Sequence, residues 1–351
     1  MPRLPAEWEP QAAVMLTWPH AGTDWAERLA AIESLYVELA AQIAGFEPVL
    51  VVCQDALLRG RVAGLLDAAG VDPGRLQFAL AASNDTWARD HGPITVFDEG
   101  GARLVDFRFN GWGGKFPAER DDRITATLDQ AGVFGATPRT ASELVVEGGA
   151  IECDGQGTLL AMQGTLVDER RNPGLDRSAL EVRLSALFGT TRYLWLTRGQ
   201  LSGDDTDGHI DTLARFCAAD AIAYVHSEDA EDPDHAGLVA MEAELRGLRQ
   251  AGGRPYRLVG LPQPRPIHNA DGERLAASYA NFLIVNQAVL APVYGDPADR
   301  VALEVLARLF PARRILPLDC RAVIEQGGSL HCLTMQLPAG LPLSGLCVAP
   351  F

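Results

Sequence analysis

Gly203-Asp204-Asp205-Thr206-Asp207-Gly208-His209-Ile210-Asp211 leads directly into two β-type runs, Leu213–Cys217 and Ala221–Val225, and then into a helical pattern that begins near Asp234. Similar helical starts lie near Asp121, Asp176 and Asp296, so the last three gaps between starts are about 55 to 65 residues. Earlier, Thr23 and Asp24 are cap-type residues for an amphipathic pattern that reaches about Gly45, and a further helix spans about Leu57 to Ala69. The remaining β-type runs are Val49–Val52, Ile94–Phe97, Leu104–Phe109, Leu159–Met162, Tyr193–Leu196, Phe282–Val285 and Val289–Val293. A period near 60, with several strands and one helix per unit, suggests a repeat architecture in which five units nearly use up the chain. Spacing alone leaves an ordinary α/β sheet with separate domains equally open. Length by itself suggests about two domains. No Pro/Ser-rich linker or charge run divides the chain, which favours one domain over residues 1–351.

The charge balance narrows the partners. In 351 residues, 30 Lys+Arg stand against 46 Asp+Glu, for a formal net charge of −16. That argues against nucleic-acid binding through phosphate neutralisation and against docking on an anionic membrane. It permits a cationic small substrate without identifying one. Cys53, Cys153, Cys217, Cys320, Cys332 and Cys347 form no Cys-x-x-Cys pair and match no zinc spacing. Free thiols in a reducing compartment fit better than a disulfide scaffold. The N-terminus lacks the apolar core of a signal peptide, so a cytoplasmic location is expected. The uncharged stretch from Leu275 to Gly295 is long enough to span a bilayer. Ser278, Asn281, Asn286, Gln287 and Pro292 interrupt it, so it reads as two strands with a tight turn.

Five polar, mostly glycine-marked clusters are candidate site segments: Asn84–Pro93, Val145–Gly149, Gly203–Asp211, Ser278–Phe282 and Gln326–Cys332. Glycine allows sharp turns and close approach to a ligand. If His209 and Asp211 alternate along a strand, both point to one face, and a histidine beside a carboxylate suits acid/base work. The competing reading is a solvated acidic loop. Cys332 follows a glycine pair and His331, a setting for a nucleophilic thiol, whereas most free cysteines are small buried hydrophobes. The other five cysteines keep that second reading. Asp90 and Glu147 stand beside glycines, and each is otherwise a turn former or ion-pair partner, Arg89 being the candidate for Asp90. Jointly, a thiol, a histidine and three carboxylates suit a planar electrophilic cation such as a guanidinium, whose N–H fork carboxylates grip in pairs. Gly111–Phe116 resembles a phosphate loop only loosely, and no Gly-x-Ser-x-Gly elbow occurs. No second histidine lies at metal spacing from His209 and Asp211, so no metal is expected.

These clusters resemble the guanidino-group-modifying (pentein) superfamily, in the agmatine deiminase branch related to bacterial peptidyl-arginine deiminases. The resemblance runs from Met1–Pro10 to Gly328–Cys332 and rests on Trp-Ala-Arg-Asp-x-Gly-Pro, Glu-Gly-Gly, Asp-Gly-His-x-Asp and Gly-Gly-x-x-His-Cys in that order. Phe109–Gly114 and Ser278–Phe282 are similar as well. It implies a five-bladed pseudosymmetric α/β propeller of ββαβ modules with the site on its axis. It implies hydrolysis of a small cationic guanidine, agmatine, to N-carbamoylputrescine and ammonia, a step towards polyamines. Cys332 matches the nucleophile and His209 the general acid/base. Asp90 and Asp211 match the guanidinium carboxylates, and Glu147 the carboxylate supporting the histidine and substrate nitrogens. No cofactor is implied, and a homodimer is the family expectation. Trp87 and Trp112 either flank the substrate's stem or pack the core.

The sequence also departs from the branch. Gln326, Ser329 and Leu330 replace the usual types in Gly-Gly-Gly-Asn-Ile-His-Cys, Asp204-Asp205 replaces Asn-Glu, and Met335 replaces a glutamine. These changes are expected to touch the pocket for the far end of the substrate, which no motif locates. Another guanidine, including peptidyl-arginine, stays open, as does a non-catalytic guanidine-binding protein. Intact Cys332 and His209 argue against the latter.

Overall fold

All six helices read from the sequence become crossovers that return the chain to a parallel strand. The computed structural model describes residues 1–344; Cys347 lies outside them. The described residues form five small sheets. In one, β4 (Ile94–Asp98) and β5 (Gly101–Arg108) make an antiparallel hairpin, a helix over Ile124–Gln130 crosses over, and β6 (Arg139–Val145) pairs parallel to β5. The same order recurs in β7 (Ile151–Cys153), β8 (Thr158–Met162), helix Arg177–Phe188 and β9 (Arg192–Leu196). It recurs in β10 (Ala214–Ala218), β11 (Ala221–His226), helix His235–Gly247 and β12 (Arg257–Pro262). A further copy is β13 (Leu283–Val285), β14 (Ala288–Val293), helix Ala298–Leu309 and β15 (Arg314–Asp319).

The remaining sheet joins the two ends of the described chain. β16 (Thr334–Pro338) lies antiparallel to β1 (Gln11–Thr17), helix Leu29–Ala44 crosses over to β2 (Val49–Cys53), and helix Ala56–Ala68 leads to β3 (Leu76–Leu80). Its hairpin is thus assembled from residues more than 300 apart, which is why no local pattern announced it. Periodicity also missed β3, β6, β7, β12 and β15, whose short or mixed-polarity runs carry little alternation. Between Leu275 and Gly295 the expected strand pair is present, with Gln287 at φ 64° in the turn. No helix of the described residues is long and apolar enough to cross a membrane.

Local chemistry explains the helix boundaries. Asp55 accepts Leu58 N–H at 2.8 Å and Asp176 accepts Ala179 N–H at 2.8 Å, each satisfying an orphan donor of a first turn. In helix Ala298–Leu309 the buried residues Ala302, Val305, Leu306 and Leu309 repeat at helical spacing. β2 is buried on both faces: Val49, Val51 and Cys53 join one apolar core with Leu35 and Leu39, whereas Leu50 and Val52 join a second core with Met15 and Leu337. Parallel strands covered on both sides read as continuous apolar runs, as Val-Leu-Val-Val does.

Candidate active site

Each sequence cluster ends immediately before the first strand of a hairpin, so every sheet contributes one segment. Trp87 and the turn Ala88–His91 precede β4, Glu147–Gly149 precede β7, His209–Asp211 precede β10, Ser278–Asn281 precede β13 and Gly328–Cys332 precede β16. The segments touch in cyclic order. The Ala88–His91 turn packs on the short turns at Gly148–Ala150 and His331–Leu333, and Gly148–Ala150 packs on Ile210–Thr212. Ser278 Oγ donates to Thr212 O at 2.6 Å, and Asn281 Oδ1 accepts His331 N–H at 2.8 Å. His209 and Asp211 do not alternate on a strand, as expected above. Asp211 lies in a 3-10 turn, Ile210–Thr212, with His209 at its N-cap. The turn still directs both side chains at Gly149, where a Cβ would lie 2.5 Å from His209 Nδ1 and 3.1 Å from Asp211 Oδ2. Only glycine allows that approach.

Cys332, His209, Asp90, Asp211 and Glu147 converge. Asp90 accepts the Trp112 indole N–H at 2.9 Å through one oxygen and Gly149 N–H at 3.0 Å through the other. Arg89 points away from it, towards Gln336 and the His331 carbonyl, so the Arg89–Asp90 pair considered above does not form. His209 is fully buried with Nδ1 3.7 Å from Asp90 and Nε2 3.8 Å from Glu147. Among the described residues, both of its ring nitrogens and Asp211 Oδ1 lack a hydrogen-bond partner. Buried polar atoms are almost always satisfied, so unpartnered atoms on two neighbouring buried side chains suit a site for a polar ligand. Cys332 Sγ lies 3.3 Å from the Asn281 amide nitrogen and 3.6 Å from Asp211 Oδ2.

The electrostatics follow from burial and crowding. Burial opposes the His209 imidazolium, but Asp90, Glu147 and Asp211 outweigh it and push its pKa up to about 9. Burial favours protonated Glu147, yet His209 and Arg171 hold its carboxyl below the ordinary value. Asp211 is likewise held low against burial, by His331 and then His209. Asp90 is pushed up by burial and by its carboxylate neighbours, against His209. Burial, Asp211 and Asp90 push the Cys332 thiol well above its usual value. These shifts favour a protonated histidine beside a neutral thiol at neutral pH.

A cavity of about 140 Å³ opens onto Cys332 and Asp90, lined also by Asp24, Asp85, Asp205, Trp87, Trp112 and Gln326. Trp87 and Trp112 serve both readings given above, since each lines the cavity and joins the core. Trp112 takes φ 55°, which lets its indole reach Asp90. A Cβ on Gly328 would sit 2.1 Å from the Trp87 ring, so glycine lets the Cys332 loop lie against that wall. The expectation for the substituted positions needs correcting. Ser329, Leu330 and Met335 are buried and do not line the cavity; Ser329 instead pairs with the Tyr294 hydroxyl at 3.0 Å. Gln326 and Asp205 do line it, while Asp204 folds its own loop by accepting Gly208 N–H at 2.7 Å.

Sequence reading missed the buried supports. Arg171 Nε donates to Glu147 at 2.8 Å. His331 is not a cationic neighbour turned to the thiol: its ring spans Asp211 at 2.7 Å and Glu7 at 2.8 Å. Glu7, Glu152 and His331 are close enough to suggest metal ligands. Arg215 fills their centre, 2.7 Å from Glu7 and bonded to Glu152. Cys53, Cys217 and Cys320 are buried, and Cys153, partly buried, donates to Pro5 O at 3.1 Å.

Comparison with known proteins places this arrangement among the deiminases. Residues 3–338 match the family model described as Porphyromonas-type peptidyl-arginine deiminase, and the chain belongs to that family. It is 35% identical to the agmatine deiminase of Stutzerimonas stutzeri strain A1501, over 96% of this chain and 95% of that protein. A Porphyromonas gingivalis structure provisionally named arginine deiminase superposes with a TM-score of 0.91 at 47% identity, covering 97% of this chain and 99% of that one. A cysteine-to-serine variant of the C. jejuni agmatine deiminase, with substrate bound, gives 0.89 at 32% identity, covering 97% of this chain and 98% of that one.

Proposed function

We propose that this protein is an agmatine deiminase, a hydrolase that converts the guanidinium of agmatine to a ureido group with release of ammonia. The observation that carries the choice of substrate is the cavity above Cys332: Asp24, Asp85 and Asp205 line it, and no Lys or Arg of the described residues does. Such walls suit a substrate whose far end is an ammonium. Free arginine, ending in a carboxylate, meets only like charge. In this reading the five sheets are blades of one α/β propeller, the whole chain is a single catalytic domain, and the site lies on the axis.

The chemistry follows from the charges. Asp90 and Asp211 hold the guanidinium through its N–H fork. The substrate cation stabilises the Cys332 thiolate, whose proton leaves to solvent as the cation binds, so the thiol need not be ionised beforehand. The thiolate attacks the guanidinium carbon. The His209 imidazolium then gives its proton to a departing nitrogen, which leaves as ammonia, and a covalent thiouronium remains on sulfur. Neutral His209 takes a proton from water, the hydroxide adds to the same carbon, the C–S bond breaks, and the added hydroxyl loses its proton to solvent as the C=O forms. Thiolate and ureido product result, with no redox change.

Ammonia release from agmatine, arginine and arginine-containing peptides, each at pH 5.5 and pH 8, tests this reading. Burial, with Asp24 beside it, pushes Asp85 up to about 7; burial, with Asp204, pushes Asp205 up to about 6 against the pull of Lys115. A carboxyl is neutral below its pKa, so the cavity gains negative charge as pH rises through this range. KM for agmatine should fall by about tenfold from pH 5.5 to 8, the low end of what one nearby opposite charge is worth. Agmatine should exceed arginine in kcat/KM by at least about 100-fold. Preference for arginine or for a peptide would reject the substrate assignment, and no ammonia from any guanidine would favour a binding protein.

A further inference from the structure

The Arg171 side chain is fully buried, and its N–H groups divide among three partners. Nε meets both Glu147 oxygens at 2.8 and 3.1 Å. Nη1 donates to Asp207 at 2.8 Å and Nη2 to Thr206 O at 2.9 Å. Thr206 and Asp207 immediately precede Gly208-His209, and Thr206 Oγ1 accepts His209 N–H at 3.0 Å. Asp207 takes φ 66°, and Lys115 and Arg170 also reach its carboxylate, at 2.9 and 3.0 Å. One guanidinium therefore ties the carboxylate facing His209 to the loop that carries His209.

From these contacts we infer that Arg171 is a positioning residue that acts on His209 through Glu147, fixing the ring and limiting how tightly it holds its proton. The inference rests on the acid/base role given to His209 above. The charged groups around His209 are carboxylates: Asp90 and Glu147 at 3.7 and 3.8 Å, with Asp211 beyond its own turn and Asp205 more distant. All of them favour the imidazolium. Among the described residues Arg171 is the cation bonded to Glu147, and it takes up part of that carboxylate's charge. Without it, Glu147 turns its full charge on His209. A ring that holds its proton more tightly yields it less readily to the leaving nitrogen. It is also less often neutral when water must be activated.

The test is an NMR titration of His209 in the full chain, alongside the pH dependence of kcat. Arg171→Gln should raise the His209 midpoint by about one pH unit, the low end of what a nearby charge does. The acidic limb of kcat should move up with it, and kcat at pH 7 should fall by about 10- to 100-fold. Arg171→Lys, which keeps the charge, should leave the midpoint within a few tenths. In Glu147→Gln the midpoint falls, and adding Arg171→Gln should change it no further, because the pathway runs through Glu147. A folded Arg171→Gln with an unmoved midpoint would overturn the inference. So would a shift that persists in the Glu147→Gln background, or a lysine variant that behaves like the glutamine one. If Arg171→Gln alone fails to fold, the double variant, which leaves no orphaned buried charge, and the lysine variant carry the comparison. If the wild type releases no ammonia, the function reading fails while the titrations still decide the role of Arg171.

Discussion

Cys332→Ala removes ammonia release, lowering kcat by about 10⁴-fold or more, while the protein stays folded. The loss is large because no other group can supply the nucleophile. Asn281 and Asp211 surround the sulfur, and neither amide nor carboxylate replaces a thiolate in forming the thiouronium. The fold persists because Cys332 contributes little to packing beyond a small side chain at the floor of an existing cavity. Its segment is held instead by the His331 N–H bond to Asn281 at 2.8 Å and by the two contacts of the His331 ring. Circular dichroism and thermal unfolding check the fold, and an ammonia assay checks turnover. Ammonia release at the wild-type rate from the alanine variant would rule out the thiol mechanism.

His209→Ala lowers kcat by about 10² to 10⁴-fold, the usual worth of a positioned acid/base. Two effects combine. The leaving nitrogen loses its proton donor, and the site loses the cation that its three carboxylates share. Asp90, Glu147 and Asp211 then face one another, with Arg171 bonded to Glu147 and the His331 ring to Asp211, and Asp90, already pushed up by burial and its neighbours, takes a proton more readily. Substrate is gripped less well, so KM rises as kcat falls. In the wild type the sign of the pH effect is fixed by the raised His209 pKa. The imidazolium is present below about 9 and is lost above it, so the first half-reaction should fail on the alkaline side. An alanine variant within tenfold of wild-type kcat would remove His209 from the chemistry.

How much of this was legible in the sequence depended on how local the signal was. The five clusters were readable, because each compresses polar residues just before a strand, four of them beside glycine. Their common position was not, since it depends on which strand begins each hairpin. The fifth sheet was hidden for a related reason: β16 and β1 pair across the length of the chain. Arg171 sits in Asp168-Glu169-Arg170-Arg171, where alternating charge reads as solvated surface, yet its side chain is fully buried. Nothing local distinguishes it from Arg170, which is about half exposed. His331 was noticed for standing beside the cysteine, but adjacent residues in the 3-10 turn point apart, so its ring serves Asp211 and Glu7. The acidic cavity wall was least readable, because Asp24, Asp85 and Asp205 come from three distant segments. Out of 46 acidic residues, only a structure selects these.

The central claim is that Cys332 is a nucleophile at the bottom of a guanidinium site. A cationic haloacetamidine mimics the guanidinium and carries its own leaving group, so it should need no separately ionised thiol. Mass spectrometry of the treated protein tests the claim most directly. The label is expected on Cys332, slowed by added agmatine and formed faster than with neutral iodoacetamide at the same pH. A label found only on another cysteine, with Cys332 unmodified, would contradict it.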